Sequence, residues 1–155
     1  MSSKTPQLTQ LLQELQHVFF QKINFSLLAN DIPVAVYQGH RTPLFGMHVY
    51  FRNAFAYETP EEAGFSHFLE HLLFQGSEKL KPGEINSRFN QMGGHINAFT
   101  GPEEMGFYSL APSQHWKDVI ELFEQLLFFP KFDPEYLEKE LRVILEEKRE
   151  RENSP

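Results

Sequence analysis

The run Phe65-Ser66-His67-Phe68-Leu69-Glu70-His71-Leu72-Leu73-Phe74 constrains this chain more than any other segment. Wound as a helix at about 100° per residue, it places His67, Glu70, His71 and Phe74 on one arc of about 100°. Most of the remaining turn is Phe65, Phe68, Leu69, Leu72 and Leu73. A helix apolar over most of its circumference is a buried helix. Buried ionisable groups are costly unless paired or bound to a metal. Any fold of this chain must therefore satisfy a His-Glu-His stripe near its interior.

His67 and His71 are four apart and share one helix face. Two imidazoles so placed can close on one metal ion at the roughly 2.0–2.1 Å nitrogen distance that zinc uses. Glu70 leans over the same face and can take a proton from water held there. The order H-x-x-E-H reverses H-E-x-x-H and is the inverted-zincin signature. With 7 His in the chain, chance supplies such a match roughly 0.04 times. The competing reading is a pair of core histidines satisfied by hydrogen bonds to the glutamate. Thr59-Pro60-Glu61-Glu62 is expected to open the motif helix, with Thr59 as cap, Pro60 in the first turn and Glu62 completing a capping box. Gly76 is expected to close it.

A catalytic zinc needs a third protein ligand. The last helical stretch, about 134–152, has an apolar arc of Tyr136, Leu137, Leu141, Val143, Ile144 and Leu145. Glu140 and Glu147 fall inside that arc, and Glu146 falls nearly opposite its centre. Inward carboxylates need a reason, because Glu is rarely buried unpaired. The alternative is a boundary position from which both reach water. His17, His40, His48 and His115 have no partner at ligand spacing, and His95 reads as a strand-end surface residue.

The chain has 155 residues, 16 Phe and a formal charge of −7. That length suits one domain, residues 1–155, with a real core. No basic cluster exceeds Lys148-Arg149-Glu150-Arg151, so nucleic acid is not an expected partner. There is no Cys, which excludes disulfides and cysteine-zinc sites. No apolar run is long enough to span a membrane. The opening residues lack the apolar core of a secretory signal. Cytoplasm is the expected compartment unless a presequence has been removed.

Leu8, Leu11, Leu12 and Leu15 predict a lead-in helix within residues 1–20. Two short strands are expected over 25–37 around the turn signal Asn30-Asp31. Phe45, Met47, Val49 and Phe51 alternate along 44–51, as on one face of a strand. A short helix near 82–91 should stop at Gly93-Gly94. His95–Thr100 and Met105–Leu110 should form a hairpin, followed by helices over about 115–128 and 134–152. This order predicts an α+β fold with helices packed on one face of a mostly antiparallel sheet. The final helix runs close to Pro155, so the chain is expected to be a piece of a longer protein.

The blocks ETPEEAGFSHFLEHLLFQGSEK, NQMGGHINAFTGPEEMGFYSL and LEKELRVILEEKRE together resemble the pitrilysin and insulin-degrading-enzyme family of metallopeptidases. The likeness runs from about Asn24 to the end, with a late Glu 76 residues past the second His. The resemblance implies the amino-terminal part of a metallopeptidase α/β roll. It implies Zn2+ held by His67, His71 and Glu147, with Glu70 as the general base. It makes Glu140 the residue that orients a zinc ligand. It makes Asn97, Ala98, Phe99 and Thr100 an edge strand to which a peptide substrate adds. The implied activity is zinc-dependent endopeptidase cleavage of peptides or unfolded segments. The alternative is a catalytically inactive structural or assembly subunit of the same fold. A small metal-binding adaptor is a third reading.

Two features depart from the family. Asn53-Ala54-Phe55-Ala56 stands where a Gly-Ser-Arg-like run is usual. The second half of the family's chamber, with its Arg-Tyr pair, has no counterpart here. The expected partners are therefore a peptide substrate and a missing carboxy-terminal half or partner subunit. The piece alone is expected to be weakly active or inactive.

Overall fold

A computed structural model describes residues 23–39, 42–52 and 54–153, with side chains to residue 150. The lead-in helix expected within residues 1–20, together with His17 and His40, lies outside the described residues. The chain divides into two compact units, residues 1–42 and 43–155.

In the first unit, β1 (Ile23–Leu27) pairs antiparallel with β2 (Pro33–Tyr37), Ile23 opposite Tyr37 and Leu27 opposite Pro33. The expected turn is present. Asp31 adopts φ 62°, a region that Asp tolerates better than most residues.

The second unit is built on a three-stranded antiparallel sheet of β3 (Leu44–Phe51), β4 (His95–Thr100) and β5 (Met105–Pro112), in the order β3-β5-β4. Strand β5 is central and carries the most buried residues of the three. Val49 of β3 and Ala98 of β4 both face Phe107 of β5, and Met47 and Ile96 both face Ser109. The period of two therefore puts Phe45, Met47, Val49, Ile96, Ala98 and Phe107 on one face. Helices α1 (Phe65–Leu73), α2 (Glu84–Gln91), α3 (Trp116–Phe128) and α4 (Pro134–Asn153) complete the unit. Leu73, Ile85, Phe89, Val119, Phe123 and Leu126 from the first three helices close over that sheet face as a single core. The fold is α+β, with helices packed on one sheet face. The opposite face carries a ring cluster: His48 stacks on Tyr108 at 5.7 Å, and Tyr50 meets Phe99 at 6.2 Å.

Among the described residues, β4 is hydrogen-bonded to β5 alone and leaves its other edge open. Among them, too, no helix is long and apolar enough to cross a membrane.

The structure corrects the expected start of the motif helix. The Thr59–Glu62 capping box forms, with Glu62 accepting from the Thr59 N–H at 3.1 Å and its hydroxyl at 3.0 Å. It caps a separate 3-10 turn, Pro60–Glu62. Helix α1 begins only at Phe65, after Gly64 at φ 101°. A left-handed residue cannot continue a right-handed helix, so the chain starts afresh there. At the other end, Gly76 has φ 111°, and a Cβ there would lie 2.9 Å from the Leu80 carbonyl oxygen. Only glycine fits that turn.

The expected burial of α1 is also corrected. Leu72 and Leu73 are buried, but Phe65 is 62% exposed and Leu69 39%. They line an open groove of about 620 Å³ with Tyr57, Phe68, Met105 and Phe132. In α4, Leu141, Val143 and Leu145 face outward. The half-buried or buried stripe is Tyr136, Leu137, Glu140, Ile144 and Glu147.

Candidate metal centre

Helix α1 supplies two imidazoles and α4 supplies two carboxylates. Their meeting depends on α1 packing against both α4 and β4. His67 Nε2 lies 3.6 Å from one oxygen of Glu147, and His71 Nε2 lies 3.9 Å from the other. The two rings stand nearly perpendicular, with centroids 4.8 Å apart. One donor atom from each of His67, His71 and Glu147 lies within 4.8 Å of the others.

This donor set fits a zinc ion. Two imidazole nitrogens and one carboxylate oxygen form a known catalytic zinc combination. Tetrahedral bonds of that length put neighbouring donors roughly 3.3 Å apart. The 3.6 and 3.9 Å separations approach that value.

His71 uses its two nitrogens on two different carboxylates. While Nε2 faces Glu147, Nδ1 lies 3.2 Å from Glu140 Oε2. Glu140 is only 6% exposed. A buried carboxylate against the far nitrogen fixes ring orientation and tautomer. Glu146 is exposed and takes no part, as the helical wheel requires.

Glu70 stands apart from the three converging donors. Its Oε2 accepts a hydrogen bond from the Thr100 hydroxyl at the end of β4. It lines a cavity of about 250 Å³ with His71, Asn97, Ile96 and Glu140. Of the four strand residues expected at the substrate edge, Asn97 reaches this cavity. Ala98 packs against the core, Phe99 lies on the opposite sheet face among the rings, and Thr100 touches Glu70. The Asn97 amide oxygen also accepts the N–H of Ala98 at 2.9 Å. The other histidines stay away: His48 is in the ring cluster, His95 is exposed, and His115 pairs with Asp118 at 3.1 Å.

Two cavity residues escaped the sequence reading, Gln75 and Asn86. Neither stands in a recognisable spacing. Outside that cavity, Glu58 also escaped it; it accepts the N–H groups of Gly64 at 2.7 Å and Ser66 at 2.6 Å at the start of the motif helix. Burial pushes its carboxyl up, but the Ser66 hydroxyl and these two backbone donors outweigh that and hold it below the ordinary 4.5.

The family described as insulinase, peptidase family M16, matches residues 38–155. A Bacillus subtilis protein named as an uncharacterized zinc protease, YmxG, is 36% identical over 99 residues, covering 64% of this chain and 24% of that protein. The mitochondrial-processing peptidase subunit beta of Dictyostelium discoideum is 31% identical over 121 residues, covering 77% of this chain and 26% of its own. The crystal structure of a protease from Helicobacter pylori superimposes with a TM-score of 0.83 at 26% identity, over 86% of this chain and 33% of that one. The chain thus spans about a quarter to a third of the length of these relatives.

Proposed function

Starting from a chain that belongs to the insulinase family of peptidases, M16, we propose that it forms the zinc-binding, base-bearing part of an endopeptidase. The observation that carries this reading is the convergence of His67, His71 and Glu147 from two helices, with Glu140 behind His71. His67, His71 and Glu147 would hold the ion. Bound there, zinc supplies Lewis-acid polarisation of a scissile carbonyl and lowers the pKa of its water toward ~7.

The chain's own residues do the rest. Glu70 accepts a proton from the attacking water and returns it to the leaving amine. The Thr100 hydroxyl holds one Glu70 oxygen, which leaves the other to accept that proton. Glu140 fixes His71 so that Nε2 keeps its aim. The open edge of β4 takes the substrate as an added strand, and such pairing reads backbone more than side chain. A preference for extended peptides or unfolded segments follows.

The inactive-subunit reading is weaker, because the chain carries all three candidate donors, clustered, and keeps Glu70 beside them in sequence. In a protein of the relatives' length, residues beyond this chain, or a partner subunit, would enclose the substrate. The test is Glu70→Gln in such a longer protein. It should keep zinc, by elemental analysis, and lose peptide hydrolysis by orders of magnitude. Hydrolysis at an undiminished rate would remove Glu70 as the base, and a wild-type protein without zinc would remove the metal centre.

A further inference from the structure

We infer that Glu58 is a positioning residue for the metal centre: it anchors the first turn of α1 and so holds His67 at its distance from Glu147. This rests on the metal reading proposed above.

Helix α1 has nine residues, too few to be stable without tertiary support. Its first N–H groups have no partner within the helix. Gly64, at φ 101°, offers no capping side chain. One carboxylate takes over the task. Glu58 accepts from the N–H of Gly64 and the N–H of Ser66. The Ser66 hydroxyl adds a third donor, and Ser66 itself is buried. A negative charge at a helix amino terminus also meets the favourable end of the helix dipole.

His67 follows Ser66 directly and sits in this first turn. Its partner Glu147 comes from α4, so no bond within α1 sets the gap between them. Loosening the turn at Ser66 would let His67 drift while His71, one turn deeper and backed by Glu140, stays. The nearby Thr59–Glu62 box cannot substitute, because it closes the separate turn before Gly64.

The test uses zinc alone, in competition with a chromophoric chelator, and amide hydrogen exchange on the same samples. Glu58→Gln keeps size but replaces one acceptor oxygen with an NH2 group that faces a backbone N–H. It should weaken zinc binding roughly tenfold or more, in the range seen for outer-shell partners of metal ligands. It should also speed exchange at Gly64 and Ser66. Ser66→Ala, which removes one donor of the three, should weaken zinc binding by a smaller factor and serves if the Glu58 variant folds poorly. Glu61→Gln, at an exposed position of the neighbouring turn, should change neither readout.

A merely structural role would lower the melting temperature equally with and without zinc. A positioning role shrinks the zinc-induced rise itself. Wild-type zinc affinity in both Glu58→Gln and Ser66→Ala would overturn the assignment to Glu58. A wild-type chain that takes up no zinc would overturn the metal reading first, and this assignment with it.

Discussion

Nδ1 of His71 lies 3.2 Å from Oε2 of Glu140, a carboxylate almost wholly withdrawn from solvent. A buried charge is tolerated only when it is paired, so Glu140 and His71 depend on each other. The pairing also commits the imidazole. With Nδ1 engaged, only Nε2 is available to meet a ligand beside Glu147. Glu140→Ala should therefore weaken zinc binding by about 10–100-fold, measured by chelator competition, while total helix content by circular dichroism stays the same. Undiminished affinity would show that His71 needs no such support.

Glu147 and Glu146 are neighbours in sequence with opposite fates. Glu147 turns toward both histidines and Glu146 toward solvent. Glu147→Gln should cut zinc content sharply by elemental analysis, and Glu146→Gln should leave it at the wild-type level. Equal retention in both would sink the ligand assignment.

These glutamates were legible in the sequence because a helix fixes which positions share a face, whatever it packs against. The same logic failed for Leu141, Val143 and Leu145. Their apolar character placed them in the expected inward arc, yet burial depends on what lies opposite, and among the described residues nothing covers them. Phe65 and Leu69 are exposed for the same reason. The Thr59–Glu62 pattern encodes a cap but not which turn it caps, because Gly64 interrupts the helical path between Glu62 and Phe65. Glu58 was invisible: its bonds reach six and eight residues ahead through that break, and no periodicity encodes them. Strand order β3-β5-β4 was equally beyond a pattern that gives each strand's face but not its neighbours.

Thr100 links the open strand to Glu70 through its hydroxyl. In a longer, active protein, Thr100→Val should leave zinc content unchanged and lower kcat roughly tenfold with little change in KM, whereas Thr100→Ser should restore most of the rate. A similar kcat in the valine variant would show that Glu70 needs no donor from the strand.

Helix α1 ends at Leu73 with Phe74 as its cap, and Gly76, two residues beyond, adopts a conformation that side chains rarely adopt, with the Leu80 carbonyl oxygen against the space where a Cβ would go. Gly76→Ala should cost about 1–3 kcal/mol of stability, read as a lower urea midpoint at unchanged slope. An unshifted midpoint would mean that the turn relaxes freely.

The Glu58 carboxyl is held below its ordinary 4.5 despite the opposing effect of burial, by the Ser66 hydroxyl and the backbone N–H groups of Gly64 and Ser66. A depressed carboxyl favours the folded state once it is ionised. Its contribution is fully present above the unfolded value near 4.5 and fades as pH falls through the lower folded value. Glu84, held low by the Lys81 backbone N–H and by Arg88, acts in the same direction from an exposed position. The melting temperature of the metal-free chain should therefore decline below about pH 4.5. Glu58→Gln should lower it near neutral pH and reduce the acid-side decline, because the substituted side chain no longer titrates. Wild-type and Glu58→Gln curves that run parallel from neutral pH to pH 3 would show that this carboxylate gains nothing from its place at the head of the helix.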